Sequence, residues 1–483
     1  MMRMPLWIGI VLPLIVPALA SSADAGTQER GRVVTLDEAL SLADERNLDL
    51  KAAREGLKAA REASRQAWSR YLPQVSVGGN YTYHSSEASL AFPAGFLVRD
   101  VGFDVGPEFN PDFDEDEPIG PDNMPGFPTS YVVVPYEMIE AEVQRRHQLG
   151  GQLQVNQALV VPSLWPAIRA AYLGAEIAEL GVENAREEIL FAVAQIYYGA
   201  AGLREAVALQ EEMVEVASEH VRHAELRVEQ GSAPRVEVLR ARIEYTKAQQ
   251  DLVRTRNSYD GMLSSLAALL DVEPTFEVEE PAPLKPPADE FEDDGALLAG
   301  ALDSRPDVLS ARLSVDASEQ SRRAVRNRYF PTVGLTGTYQ LTNVEGFTGD
   351  RDSWFVGVGL SWNLFDGGLR ESELREASAR LAESRVRARA TQARVEDEIR
   401  RAILDLESAR ANVVKAEQQA SLARENVELV RTGFEAGVTT SLEMVDANAA
   451  LRAAELARIN EKLNEELALL TMLRATGRFF DGY

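Results

Sequence analysis

Few residues in this sequence of 483 could do covalent chemistry. Its four histidines are His84, His147, His220 and His223, and it has no cysteine. His220 and His223 stand three apart, a spacing that can hold a metal on one helix face, but the sequence places no third ligand beside them. They read as ordinary surface histidines. No phosphate-cradling glycine loop, nucleophile elbow or zinc-protease motif is present, so neither an enzyme nor a cofactor is expected. What remains is electrostatics. Glu443 and Asp446 share a helix face just after a glycine turn, and Glu237 follows a matching turn earlier in the chain. Other carboxylates, such as Glu396 before Arg400 and Glu407 before Arg410, belong to a solvated helix face.

The formal charge of -26 excludes nucleic acid as a ligand, because nothing basic enough to follow phosphates is present. Without cysteine there is no disulfide, no thiolate metal site and no lipid on an N-terminal cysteine. Arg3, the apolar run from Leu6 to Leu19 and the Ala18-Leu19-Ala20 triplet read as a cleavable export signal over 1–20, with cleavage as late as Ala25. Beyond it, no apolar run is long enough to span a bilayer as a helix.

Long helices position the carboxylates. Over 165–229, the residues Val193, Ile196, Ala200, Leu203, Val207, Val214, Ala217, Val221, Ala224 and Val228 recur at spacings of three and four, broken only by Gln210. Over 369–435 the same seam runs from Val395 and Ile399 through Leu406, Val413 and Ala420 to Phe434. A seam this long predicts coiled-coil-like helices, each about 97 Å at ~1.5 Å per residue. Val193 aligns with Ile399 and Val228 with Phe434, so the architecture is duplicated. Shorter helices are expected over 36–70, 235–270, 296–329 and 441–474. The first two come to about 52 and 54 Å, so a pair laid end to end matches one long helix. Repeat one is therefore 35–270 and repeat two 296–475. The acidic, proline-rich linker 271–295 between them cannot pack a core and is expected to wrap the outside of the helices, with one short strand at 275–278.

Four segments alternate with a period of two: 74–83, 149–159, 332–341 and 354–364. One face is apolar and in three of the four carries Tyr or Trp near an end. The other face is small and uncharged. Strands of about ten residues with this pattern fit a transmembrane β-barrel, although a soluble sandwich has the same period. The export signal, and strands that feed into rods this long, favour the membrane. Four strands cannot close a barrel, and lipid forbids an open edge, so more than one copy must complete it. A long insert, 85–139, rich in Gly, Pro, Phe and Asp, reads as loop and as a lid or collar at the outer end.

The layout resembles the TolC-type outer membrane factor family over most of 36–477. The most specific stretch is GVGLSWNLFDGG, Gly357 to Gly368, where a strand passes into a long helix; repeat one replaces Asp-Gly-Gly with Val161-Pro162-Ser163. Gly367, Gly368 and Pro162 thus mark the strand–helix corners. Tyr71-Leu72-Pro73, Tyr329-Phe330-Pro331 and Asn47 also follow the family. The resemblance implies a homotrimer with a twelve-stranded barrel and long periplasmic helices. It implies helix tips, here Gly231, Ser232, Gly437, Val438 and Thr439, that meet a periplasmic adaptor. It places Glu237, Glu443 and Asp446 around a constricted periplasmic entrance, and Arg235 and Arg431 near a gate latch; Thr439 stands where an arginine is sometimes found.

Such a duct is passive. It crosses the outer membrane and periplasm, contacts outer membrane lipid, and serves an inner-membrane pump of RND, ABC or MFS type. The alternative is an exported coiled-coil scaffold that conducts nothing. Four amphipathic strands separate the two readings, because a scaffold has no use for them.

Overall fold

The structure is a computed structural model that describes residues 32–100, 131–282, 284, 294–345, 350–436 and 438–479. The expected export signal, the acidic run 112–117, residues 283 and 285–293 of the linker, and Gly437 lie outside the described residues. Two compact units are present: Met1–Lys51 with Ala185–Leu298 and Asp397–Tyr483, and Ala52–Asn184 with Ala299–Glu396.

In order, the chain forms β1 (Arg32–Val34), α1 (Leu36–Arg46), α2 (Leu48–Ser69), β2 (Gln74–Tyr83), β3 (Ala88–Asp100), β4 (Tyr131–Gln144), β5 (His147–Val160), α3 (Leu164–Glu229), α4 (Arg235–Leu270) and β6 (Phe276–Val278). Then follow α5 (Asp294–Ser304), α6 (Pro306–Arg326), β7 (Thr332–Thr342), β8 (Asp352–Ser361), α7 (Leu369–Glu435) and α8 (Ser441–Ala475). The long helices α3 and α7 hold 66 and 67 residues, about 100 Å each at ~1.5 Å rise. No described helix is long and apolar enough to cross a membrane.

In α7 the seam is buried at Val395, Ile399, Ala402, Leu406, Ala409, Ala416 and Ala420, and half-buried at Val413 and from Ala423 to Phe434. In α3 burial is deepest over Leu190–Ala200, and the seam's polar break, Gln210, is itself buried with Oε1 unpartnered.

Two shorter helices depart from expectation. The stretch 36–70 is not one helix, because Asn47 leaves helical geometry (φ -52, ψ 130). Its Oδ1 accepts from the Leu50 N–H at 3.0 Å and its Nδ2 donates to the Leu269 carbonyl at 3.0 Å, so it caps α2 while pinning it to the end of α4. The stretch 296–329 is likewise broken. Pro306 pushes Arg305 out of the helical region (φ -67, ψ 126), separating α5 from α6, and a 3-10 turn follows over Asn327–Tyr329.

In the unit holding the strands, β2, β5, β7 and β8 form an antiparallel sheet in that order. The register puts Val77, Leu153, Tyr339 and Trp354 in one row, and Ser76, Gln154, Thr338 and Phe355 in the next. The apolar face is open: Val77, Tyr81, Leu149, Trp354, Val356, Val358 and Leu360 are all exposed. β8 ends at Ser361, so Trp362 and Leu364 lie beyond the ladder. The insert is not all loop. β3 and β4 pair antiparallel within it, and register shifts at Ala88/Ser89 and on both sides of Gly95 break the alternation that would have revealed them.

In the other unit β1 pairs in parallel with β6, and the Tyr197 hydroxyl closes the joint. It donates within reach of two carbonyls, Val34 at 2.8 Å and Glu279 at 3.0 Å, and accepts from the Glu279 N–H at 3.1 Å. Burial pushes its pKa up to about 12. The C-terminal end also packs: Phe479 is buried edge-to-face on Phe191, 6.0 Å between centroids.

Candidate functional site at the helix tips

The first tip joins α3 to α4. Gly231 takes φ +68, a left-handed conformation that a side chain would strain. Ser232 then closes the helix end, with its N–H (2.9 Å) and Oγ (3.0 Å) both donating to the Arg227 carbonyl. α4 starts after Pro234, leaving Arg235 exposed and Glu237 half-buried in the first turn.

The second tip joins α7 to α8 and is built differently. Thr439 donates to the Val430 carbonyl at 3.0 Å, and its methyl lies 2.7 Å from where a Cβ on Gly433 would stand. Gly433 is therefore the small residue this turn requires. Thr440 and Glu443 form a reciprocal capping box: the Glu443 N–H donates to Thr440 Oγ1 at 3.3 Å, and Glu443 Oε2 accepts from the Thr440 N–H at 2.6 Å. Those Thr440 donors, backbone first, hold the Glu443 pKa below the usual carboxylate range. Glu443 and Asp446 are both exposed.

The two tips meet through a contact that spacing along the chain does not reveal. The Arg227 guanidinium sits 4.9 Å over the Phe434 ring. Of the latch candidates, Arg431 pairs with Glu428 on its own helix at 2.6 Å. Deeper between the helices, Glu455 of α8 is buried and bridges Arg424 of α7 at 2.5 Å and Arg458 at 2.9 Å; Arg458 continues to Glu205 of α3 at 2.9 Å.

His220 is not a surface histidine. It lies against Asn448 (Nδ2 to Nε2, 3.1 Å) beside a cavity of ≈ 50 Å³ lined by Val216, Ala241, Val445 and Ala449. Burial, with a smaller contribution from His223, lowers its pKa from 6.5. His147 and His84 bond Tyr81 (2.7 Å) and Gln148 (3.0 Å) at the end of the sheet. Among the described residues, no group of three His, Asp or Glu could hold a metal.

The strand–helix corners are also unlike each other. In repeat two, Gly367 (φ +71) and Gly368 (φ +88) turn the chain, and Asp366 and Arg370 form a buried ion pair at 2.7 Å. Arg370 also donates to the Leu364 carbonyl at 3.1 Å and lies 4.8 Å over the Tyr329 ring. In repeat one an aromatic cluster replaces the ion pair: Trp165 packs at 5.7 Å on both Trp68 and Tyr71. The Pro162 carbonyl there accepts from Asn327 Nδ2 at 2.9 Å.

The described parts are thus a sheet with one open apolar face, long seam-packed helices and two closed helix tips. The sequence pattern of the family described as Outer membrane efflux protein matches residues 143–271 and 297–478, and the chain belongs to that family. It is 25% identical over 306 residues to the outer membrane efflux protein BepC of Brucella suis, covering 62% of this chain and 65% of that protein. It is 21% identical over 348 residues to the outer membrane protein TolC of Escherichia coli, covering 67% of this chain and 68% of that protein. The match thus spans about two thirds of the length of these relatives. In fold it resembles the outer membrane protein VceC of Vibrio cholerae, with a TM-score of 0.70 and 19% identity over 92% of this chain and 96% of that one.

Proposed function

We propose that this chain is a passive exit duct of the Gram-negative outer membrane, reaching into the periplasm and serving a tripartite efflux pump or a type I secretion system. One observation carries the reading: the four-stranded sheet is open at β2 and β8, apolar on one face and uncharged on the other, and β5 and β8 lead into helices of 66 and 67 residues. In lipid such edges must be paired, so copies join β8 to β2 around an axis. Three copies give a twelve-stranded barrel, with helices forming the periplasmic tube. The relatives are outer membrane efflux proteins, which supports the same place and role.

Glu237, Glu443 and Asp446 then ring the periplasmic entrance and favour cations over anions. Ser232, Val438 and Thr439 face an adaptor protein, and Val438 is 79% exposed, as a docking residue would be. Arg235 and Arg431 tie neighbouring copies shut, Arg431 alongside its own-helix pair with Glu428. The inner-membrane pump supplies all the energy and selects the cargo.

Conductance in a planar bilayer tests the duct. Purified protein should form cation-preferring channels, with the preference weakened in the E443Q/D446N variant. Protein that forms no channel even with both carboxylates neutralised belongs instead to a non-conducting scaffold. Cross-linking from position 232 or 439 in whole cells identifies the adaptor.

A further inference from the structure

The polar face of the strand sheet carries one large apolar side chain, Phe355. Register fixes its side: it lies in the row of Ser76, Gln154 and Thr338, whereas its neighbours Trp354 and Val356 point to the apolar face. The rest of that polar face is amide, hydroxyl, glycine or the small Ala158. Gln152, Gln154 and Asn156 form a run of amides at 3.4 and 3.3 Å, and Thr336 donates to Asn156 Oδ1 at 3.1 Å. No charged side chain interrupts this wall among the described residues of the four strands.

Phe355 is not packed away by its own chain. It is 55% exposed within the chain, and its neighbours along the same face of the strand are the side-chain-free Gly357 and Gly359. We propose that Phe355 forms an aromatic girdle inside the barrel that binds organic cations with apolar bodies as they pass. This rests on the duct reading, in which three copies bring three rings to one level.

Twelve strands spaced ~4.8 Å apart and tilted about 40° give a backbone radius of roughly 12 Å, so the rings narrow the bore without plugging it. An aromatic face attracts a cation through its quadrupole, and more strongly when the cation is weakly hydrated. The amide wall offers no carboxylate to compete for that cation and no ammonium to repel it. Small hydrated ions keep their water and pass. A bulky organic cation loses little on shedding its weak hydration and gains contact with the rings.

The test is channel block in planar bilayers by tetraphenylphosphonium, with lithium conductance as the control for a small, strongly hydrated cation. Wild type, F355S and F355L are compared. The half-blocking concentration of tetraphenylphosphonium should rise about tenfold in F355S and less in F355L, with lithium conductance unchanged in both. F355L keeps the apolar bulk and so decides the matter if F355S does not assemble. Equal block in wild type and F355L, or a parallel shift in lithium conductance, overturns the girdle and leaves the duct standing. Weaker assembly of F355S with unaltered block means that a neighbouring copy covers the ring, which also overturns it. A wild-type protein that forms no channel overturns the duct and the girdle together.

Discussion

The Arg227 guanidinium lies 4.9 Å over the Phe434 ring, so the end of α3 and the end of α7 are tied within one chain. The same Arg227 offers its carbonyl to Ser232, which couples the tie to the first turn. An exposed cation–ring contact contributes about 0.5–1 kcal/mol. R227A should raise backbone hydrogen exchange over 224–234 and 430–436 together, whereas R227K should leave most of the protection. A rise confined to the first tip would mean that the two ends are not coupled.

Gly433 should not tolerate a side chain. In G433A the new Cβ meets the Thr439 methyl at 2.7 Å, a clash that the short, stiff threonine cannot relieve by swinging away. Overpacking of this kind costs about 1–3 kcal/mol. G433A should lower thermal stability, and G433A/T439S should recover most of the loss by removing the methyl while keeping the bond to Val430. Failure of that rescue would place the strain elsewhere.

Glu443 and Asp446 can be separated by what each contacts. Glu443 serves the cap of α8, so E443A should fray that helix start as well as change selectivity. E443Q keeps the capping geometry and should change selectivity alone. D446N, with no cap to lose, should also act on reversal potential only. T440A removes the other half of the box and should cost about 1 kcal/mol of helix stability with little effect on selectivity. Reversal potentials and circular dichroism on the four variants distinguish these roles.

Breaking the Asp366–Arg370 pair should be more damaging than replacing it. Its side chains are only 10% and 11% exposed, so removing one partner strands the other at a cost of about 3–5 kcal/mol. D366N should reduce assembled protein sharply, and D366N/R370M should recover part of it. Equal yields for the single and double variants would show that the pair is not energetically coupled.

His220 should give the tip an acid-sensitive stability. Burial lowers its folded-state pKa below the ordinary 6.5, so the neutral form is the one that folding favours. Above 6.5 both states are neutral and the contribution is complete. As pH falls below 6.5 the unfolded chain takes up a proton that the folded chain resists, so stability declines until the folded pKa is passed. The groups near it are Glu219 and His223 on its own helix, Glu244 on α4, and Asn448 and Arg452 on α8; Arg452 is held 3.6 Å from Asp251. Melting of H220Q should lose part of the wild-type slope between pH 5 and pH 6.5.

The parts of this fold that are legible in sequence are those governed by period. The α7 seam from Val395 to Ala420 is buried as its spacing requires, except at the half-buried Val413, and the alternation of β2 and β7 survives in the ladder. What is not legible is decided by single polar groups or by tertiary partners. Asn47 stands out as a residue type, but its bond to Leu269 far along the chain does not, and that bond is what makes the helix break there. Pro306 is a readable stop, masked by the helical pattern on both sides of it. Glu455 has the spacing of any carboxylate on a solvated face, and only the closing of α3 and α7 over it makes it a buried one. Phe355 is hidden by its neighbours, since Trp354 and Val356 dominate the strand's apolar pattern.

A sheet with two open edges and an uncovered apolar face has no stable home in lipid as a single copy, and none in water as a crowd of copies. In the proposed duct, membrane insertion and assembly of this chain are therefore one event, steeply dependent on concentration. Until it happens, the chain carries in β2 and β8 two templates for pairing with the wrong strand. On the duct reading, supply of the chain to the membrane, more than its intrinsic stability, then sets how many ducts form.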